Sequence, residues 1–204
     1  TVLAAGICKA LGVAFGPETI WQPNLTDQYH SGFKTGMNTA LLDDLNNQRL
    51  DSPVGTKNDV MEFVRALINN TPVEVIKADL ESKGLMVFKF DLVLGTTNTK
   101  YLDANIRSNE PASILRRFKR FITVKVKPEY ADEAGALLDG IESVDNQVTD
   151  VWLFDVEEFI FVGDGTGPVG PRNFRKVREN ITLEELTLYV QQVDVAFTRE
   201  PIGR

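Results

Sequence analysis

Hydrophobic positions in the first 70 residues recur at helical spacing. Leu3, Ile7, Leu11 and Phe15 fall at i, i+4, i+8 and i+12, one stripe along a helix, with Gly6 and Gly12 weakening it. Met37, Leu41 and Leu45 repeat that interval and predict a second helix, closing on Asn46, Asn47 and Gln48. Val60, Phe63, Val64 and Leu67 mark a third, stopped by Asn69, Asn70 and Pro72, because Asn tolerates a left-handed cap and Pro forbids continuation. Between the first two lies a long ordered loop, residues 16–36, carrying Trp21, Tyr29 and Phe33 among Gly, Pro, Asn and Thr. Loops of this length tend to be functional or to reach a partner.

The period then changes to two. Val73, Val75 and Lys77 alternate with Glu74, Ile76 and Ala78, and a Glu81-Ser82-Lys83-Gly84 turn follows. Met86, Phe88, Phe90, Leu92 and Leu94 occupy one face of the next run, so the two runs predict a hairpin. A further strand is expected around residues 101–106, and Pro111 opens a short helix reaching Arg120. Residues 121–127 alternate as a strand. Tyr130, Ala134, Leu137, Leu138 and Ile141 have the spacing of an amphipathic helix.

An apolar strand runs from Trp152 to Val162 and empties into a Gly/Pro loop at 163–171. In the tail, Leu186, Leu188 and Val190 share one parity, and Val193, Val195 and Phe197 share the other. That predicts a strand with a bulge near Gln191 and Gln192. The pattern as a whole predicts an α+β fold: a helical N-terminal third packed on a mixed or mainly antiparallel sheet with additional helices. Residues 1–204 are expected to form one domain, mainly helical over 1–70 and strand-rich over 71–204.

Composition narrows the function classes. Hydrophobic residues make up 43% of the chain, ordinary for a packed core. The net charge of −7 favours solubility and places general nucleic-acid binding low among the expectations. One cysteine, Cys8, excludes an internal disulfide framework. One histidine, His30, excludes a His-rich metal site, and no metal or other cofactor is expected. No apolar run approaches the roughly 18 residues of a membrane span, so no membrane partner is expected, and the segment at 2–15 lacks the basic start of a signal peptide.

Gly165, Gly167 and Gly170 fit G-x-G-x-x-G behind a strand, the outline of a dinucleotide loop. Such a loop needs free backbone N–H groups and a helix starting at its end. Pro168 and Pro171 remove two of those groups, and Glu184 and Glu185 precede a strand where a ribose-binding acid should end one. The loop therefore reads as a restrained connection between strands.

Charges are segregated around it. Asp145, Asp150, Asp155, Glu157, Glu158 and Asp164 precede a basic cluster of Arg172, Arg175, Lys176 and Arg178. A second basic cluster, Arg116, Arg117, Lys119, Arg120, Lys125 and Lys127, interleaves with Phe118 and Phe121; the two hold 10 of the 22 Lys and Arg. On a strand Glu157 shares a face with Asp155 while Glu158 points away.

Without a catalytic constellation, the sequence reads as a non-enzymatic assembly subunit, such as a virion or phage tail component, working through copies of itself and other structural subunits. Trp21, Tyr29, Phe33, Asp155, Glu157, Glu158, Gly165, Gly167, Arg172, Arg175, Lys176 and Arg178 are the expected subunit contacts, joined by a C-terminal arm at 199–204. Arg116, Arg117, Lys119 and Arg120 are the expected contacts to phosphate or an acidic partner. A cytoplasmic or virion location follows from that reading. The two other expectations are a small-molecule enzyme using the 163–171 loop and a nucleic-acid-binding protein using the basic clusters at 116–127 and 172–178.

Overall fold

The computed structural model describes residues 2–24, 29–45, 60–68, 73–77, 86–139, 141, 151–163 and 167–197. The turn at 81–84, the caps at 46–48 and 69–70, Asp145, Asp150, Asp164, Gly165 and the arm at 199–204 lie outside them. The fold is mixed α+β, with five helices, a parallel three-stranded sheet and an antiparallel three-stranded sheet among the described residues. These fall into two compact units. One draws on Thr1–Phe15, Lys119–Ile160 and Phe174–Arg204; the other draws on Gly16–Phe118 and Phe161–Asn173.

The first unit joins helix α1 (Val2–Ala10), strands β4 (Phe121–Val126), β5 (Trp152–Phe159) and β6 (Phe174–Ile181), and helix α5 (Leu183–Phe197). The expected N-terminal helix is present and ends in a Schellman turn. Val13 N–H donates to Cys8 O at 2.9 Å and Gly12 N–H to Lys9 O at 3.2 Å, with Gly12 at φ 68°. Strand order is β4-β5-β6, antiparallel throughout. Phe154, Val156, Leu186 and Tyr189 form its core, with Leu3, Ile122, Val177 and Leu183 packed around them.

Two sequence expectations fail in this unit. The tail is helix α5, because Leu183, Leu186, Val190 and Val193 also fall at i, i+3, i+7 and i+10, and that stripe meets the β5 core. In place of the helix expected from Tyr130, a 3-10 turn at Pro128–Tyr130 is followed by a bridge between Ala131 and Leu137. There the Asp132 carboxylate accepts from the Ala134 and Ala136 N–H groups, diverting the backbone from a helix.

The second unit contains β1 (Ile20–Trp21), β2 (Thr39–Leu42), α2 (Val60–Leu67), β3 (Leu92–Gly95), α3 (Ala104–Arg107) and α4 (Pro111–Leu115). All its ladder strands run parallel in the order β1-β2-β3. Here the expected helix at 37–45 is a strand. All four residues of β2 are buried, and a continuous apolar run is how a central parallel strand reads, so period alone could not separate it from a helix. The helical N-terminal third therefore reduces to α1 and α2, with β1 and β2 between. The expected strand at 101–106 contains α3.

The expected hairpin is half present. Val75 N–H donates to Met86 O and Phe88 N–H to Val73 O, both at 2.9 Å, around the Glu74–Val87 bridge. The same run then leaves that partner and continues as β3 beside β2.

Candidate functional site

Parallel strands place their ligand-facing loops at the carboxyl end of the sheet. At that end of the second unit, buried Leu41 and Leu42 lead directly into exposed Asp43 and Asp44, and β3 leads into exposed Thr96, Thr97 and Asn98. The two connections are tied together. Thr96 N–H donates to Leu42 O at 2.9 Å and Leu45 N–H to Thr96 O at 2.8 Å. The Thr96 hydroxyl donates to Asp43 Oδ1 at 2.5 Å and accepts from Asp44 N–H at 3.0 Å. The Thr97 hydroxyl donates to Leu45 O at 2.8 Å. Asp44 sits at φ 50°, a conformation Asp tolerates better than most residues.

Gly95 permits this close approach. A Cβ there would lie 2.6 Å from Leu45 Cδ1 and 3.8 Å from Phe118 Cε1. Phe118 directly follows Arg116 and Arg117 at the end of α4, so that basic pair is held close to the end of β3. Arg116 is exposed and Arg117 half-buried.

Among the described residues no three His, Cys, Asp or Glu cluster as a cation cage. Two adjacent carboxylates, that of Asp43 held by the Thr96 hydroxyl, suit a different cation. Mg²⁺ keeps several waters and takes one or two protein carboxylates plus substrate phosphates. The donor set Asp43, Asp44 and Thr96 fits that requirement. Sequence reading passed over these residues because β2 was read as helix; the signal was an apolar run ending on two aspartates.

The sequence-derived contact residues lie elsewhere. Trp21 and Phe33, expected at the surface, are 2% and 4% exposed. The stretch expected as a loop at 16–36 instead carries β1, whose Trp21 stacks on Phe88 and Phe90, meets Phe33 edge-on and donates from Nε1–H to Ser31 O at 3.1 Å. Tyr29 remains exposed. Asp155 and Glu157 are buried, at 8% and 5% exposure, so neither stands at the surface as an expected subunit contact would.

Asp155 is held between Lys125 Nζ at 2.7 Å and Lys176 Nζ at 3.8 Å, and it accepts from Asn180 N–H at 2.9 Å. Burial pushes its carboxyl up, but the hydrogen bonds from Lys125 and Asn180 and the charges of Lys125 and Lys176 outweigh this and hold it below the usual carboxylate range. Glu158 is bound on its other side by Arg120 at 3.0 Å and Arg175 at 2.6 Å. The first unit thus brings part of each basic cluster onto one sheet. Arg116, Arg117 and Arg172 belong to the other unit, and exposed Lys119 lies at the start of the first.

The G-x-G-x-x-G loop joins antiparallel strands β5 and β6. It ends in a 3-10 turn at Pro171–Asn173 and then a strand, so no helix starts at its end as a dinucleotide loop requires. Gly167 sits at φ 95°, and the Asn105 side chain clamps Val169 by two hydrogen bonds, 2.8 Å to its carbonyl and 2.7 Å from its N–H.

Residues 1–99, just under half the chain, match the family described as RNA helicase. No curated protein matches the chain. The helicase match overturns the reading as a non-enzymatic virion or phage tail subunit. It points instead to an enzyme of helicase type and to nucleic acid as the partner, which the net charge had placed low. The matched stretch contains β1, β2, β3 and the Asp43–Thr96 pairing.

Proposed function

We propose that this chain carries the cation end of a nucleoside-triphosphate site and serves a helicase-type NTPase acting on RNA. The observation that carries the reading is the placement of Asp43 and Asp44 at the carboxyl end of the central parallel strand, inside the stretch similar to RNA helicases. In P-loop NTPases the Mg²⁺ that bridges the β- and γ-phosphates is held in part by an aspartate after such a strand. Bound there, the cation would neutralise charge developing on the phosphates.

The chain's own residues divide the work. Asp43 and Asp44 offer the carboxylates. Thr96 orients the Asp43 carboxylate through its hydroxyl and holds the Asp44 backbone beside it. Arg116, near the same end through Phe118, offers an exposed guanidinium for phosphate charge. The 204 residues contain no G-x-x-x-x-G-K-[ST] run, so the assignment covers the cation end and not a phosphate-cradling loop.

Electron paramagnetic resonance of Mn²⁺ with ATP, a Mg²⁺ surrogate, tests the site. Wild type should show bound Mn²⁺ only with nucleotide present. Asp43→Asn should weaken that signal at least tenfold, and Thr96→Val by about 10-fold as an orienting residue. RNA-stimulated ATP hydrolysis should fall about 100-fold or more in Asp43→Asn. Wild-type Mn²⁺–ATP binding by Asp43→Asn would sink the assignment.

A further inference from the structure

Three guanidinium groups in the first unit converge on a single carboxylate and one tyrosine. Arg120 comes from just before β4, Arg175 and Arg178 from edge strand β6, Glu158 from β5 and Tyr189 from α5. Arg120 donates from Nε to the Tyr189 hydroxyl at 2.9 Å and pairs with Glu158 at 3.0 Å. Arg175 pairs with the other Glu158 oxygen at 2.6 Å. Arg178 lies with its guanidinium carbon 5.3 Å from the Tyr189 ring centroid, and Arg120 at 6.0 Å from the same centroid.

Counting formal charge, three cations face one anion. Arg178 is exposed and, among the described residues, makes no ion pair; its side-chain hydrogen bond goes to Val177 O. The neighbouring charges do not supply the missing anions. Lys176 and Glu179 satisfy each other, Asp155 is taken by Lys125 and Lys176, and buried Glu157 lies opposite Lys176, whose charge it faces. Tyr189 is 7% exposed, and the Arg120 and Glu158 side chains are 27% and 22% exposed, so the frame is held while Arg175 and Arg178 face solvent. Such a pre-organised surplus of planar, forked donors suits an oxyanion with several oxygens.

We propose that Arg120, Arg175 and Arg178 bind backbone phosphate of single-stranded RNA along the β6 edge. Arg175 and Arg178 stand about 10 Å apart along the strand at roughly 3.3 Å per residue, which lets them engage successive parts of one backbone. The choice of RNA over a free anion rests on the helicase-type reading; the phosphate chemistry of the site does not.

Fluorescence anisotropy with a labelled 12-nucleotide oligouridine, over a range of salt, tests it. Arg178→Ala should bind about tenfold more weakly, and the slope of log K against log salt should fall by about 0.7, as for one lost single-strand phosphate contact. Arg178→Lys should keep the slope. Glu158→Gln, which removes the one opposing charge and keeps an acceptor oxygen for one of the two arginines, should bind more tightly. Unchanged slope and affinity in Arg178→Ala, or weaker binding in a folded Glu158→Gln, would overturn the proposal. Inorganic phosphate titrated by calorimetry separates the sources: Arg178-dependent heat from phosphate without Arg178-dependent RNA affinity would make this a free-anion site and defeat the RNA assignment. Mn²⁺–ATP binding by the same variants keeps this outcome distinct from the fate of the Asp43 site.

Discussion

Asn180 does a job that glycine usually does. Phe154 pairs with Ile181 and Val156 with Arg178, so Glu179 and Asn180 together oppose the single residue Asp155, and Asn180 sits at φ 53°. That is a bulge with its left-handed residue supplied by Asn. Its N–H lands on Asp155 Oδ1, and its side-chain oxygen accepts from Lys125 Nζ at 2.5 Å. Asn180→Gly should leave stability near wild type, whereas Asn180→Val should cost about 1–2 kcal/mol from the left-handed backbone alone, measured by urea denaturation. Asp155 also sets an acid limit. Its folded pKa lies below the unfolded value, so its contribution to stability is present above the unfolded pKa and fades as pH falls through the folded one. Chemical denaturation from pH 5 down to pH 2 should show this loss shrink in Asp155→Asn; an identical acid profile would remove Asp155 as its source. From the sequence, the shared face of Asp155 and Glu157 was legible by strand parity. Their burial was not, because it depends on Lys125 and Lys176 arriving from the two flanking strands.

At the level of elements, what was legible followed from how far each local signal could be confused. Helices α1 and α2 and strand β4 carried a period, α4 a Pro start, and β5 an apolar run closed by a Gly/Pro loop. Helix α5 did not, since its apolar residues also alternate with one phase slip, yet a start signal was there to be read. Thr182 and Glu185 form a capping box: Glu185 Oε2 accepts from Thr182 N–H at 2.8 Å, and Thr182 Oγ1 accepts from Glu185 N–H at 3.3 Å. The Thr182 backbone hydrogen bond is the main reason the Glu185 carboxyl is drawn below its usual value, followed by the Thr182 hydroxyl. Thr182→Ala should lower stability by about 1 kcal/mol, and Leu186→Ala, which empties the centre of the core beneath the helix, by about 2–5 kcal/mol. If the tail were a strand, Thr182→Ala would be nearly silent. Strand β2 hid for the opposite reason: a four-residue run buried on every side offers no period, and with it went the Asp43–Asp44 site that its carboxyl end presents.

At the scale of the whole molecule, the chain passes between its two units at 15/16, 118/119, 160/161 and 173/174, so neither unit is a contiguous stretch. The region similar to RNA helicases, 1–99, cuts across this division. It takes β1, β2 and β3 from one unit, but from the other only α1, whose neighbour α5 lies at the far end of the sequence. Cys8 on α1 is fully buried, and Leu3 packs on the core that Phe154, Val156, Leu186 and Tyr189 build. Within the parallel-sheet unit, Gly95 lies close to Phe118, which also falls beyond residue 99. A fragment of residues 1–99 should therefore lack a cooperative unfolding transition, expose Cys8 to thiol reagents and lose Mn²⁺–ATP binding. The 204-residue chain should protect Cys8, whose buried thiol is pushed up in pKa and so is still less reactive. Cys8 labelling with a maleimide, followed by mass spectrometry, compares the two directly. Equal protection in the fragment would mean that residues 1–99 fold without α5, and the interleaving would then be a feature of chain path alone, with no bearing on the stability of the parallel sheet.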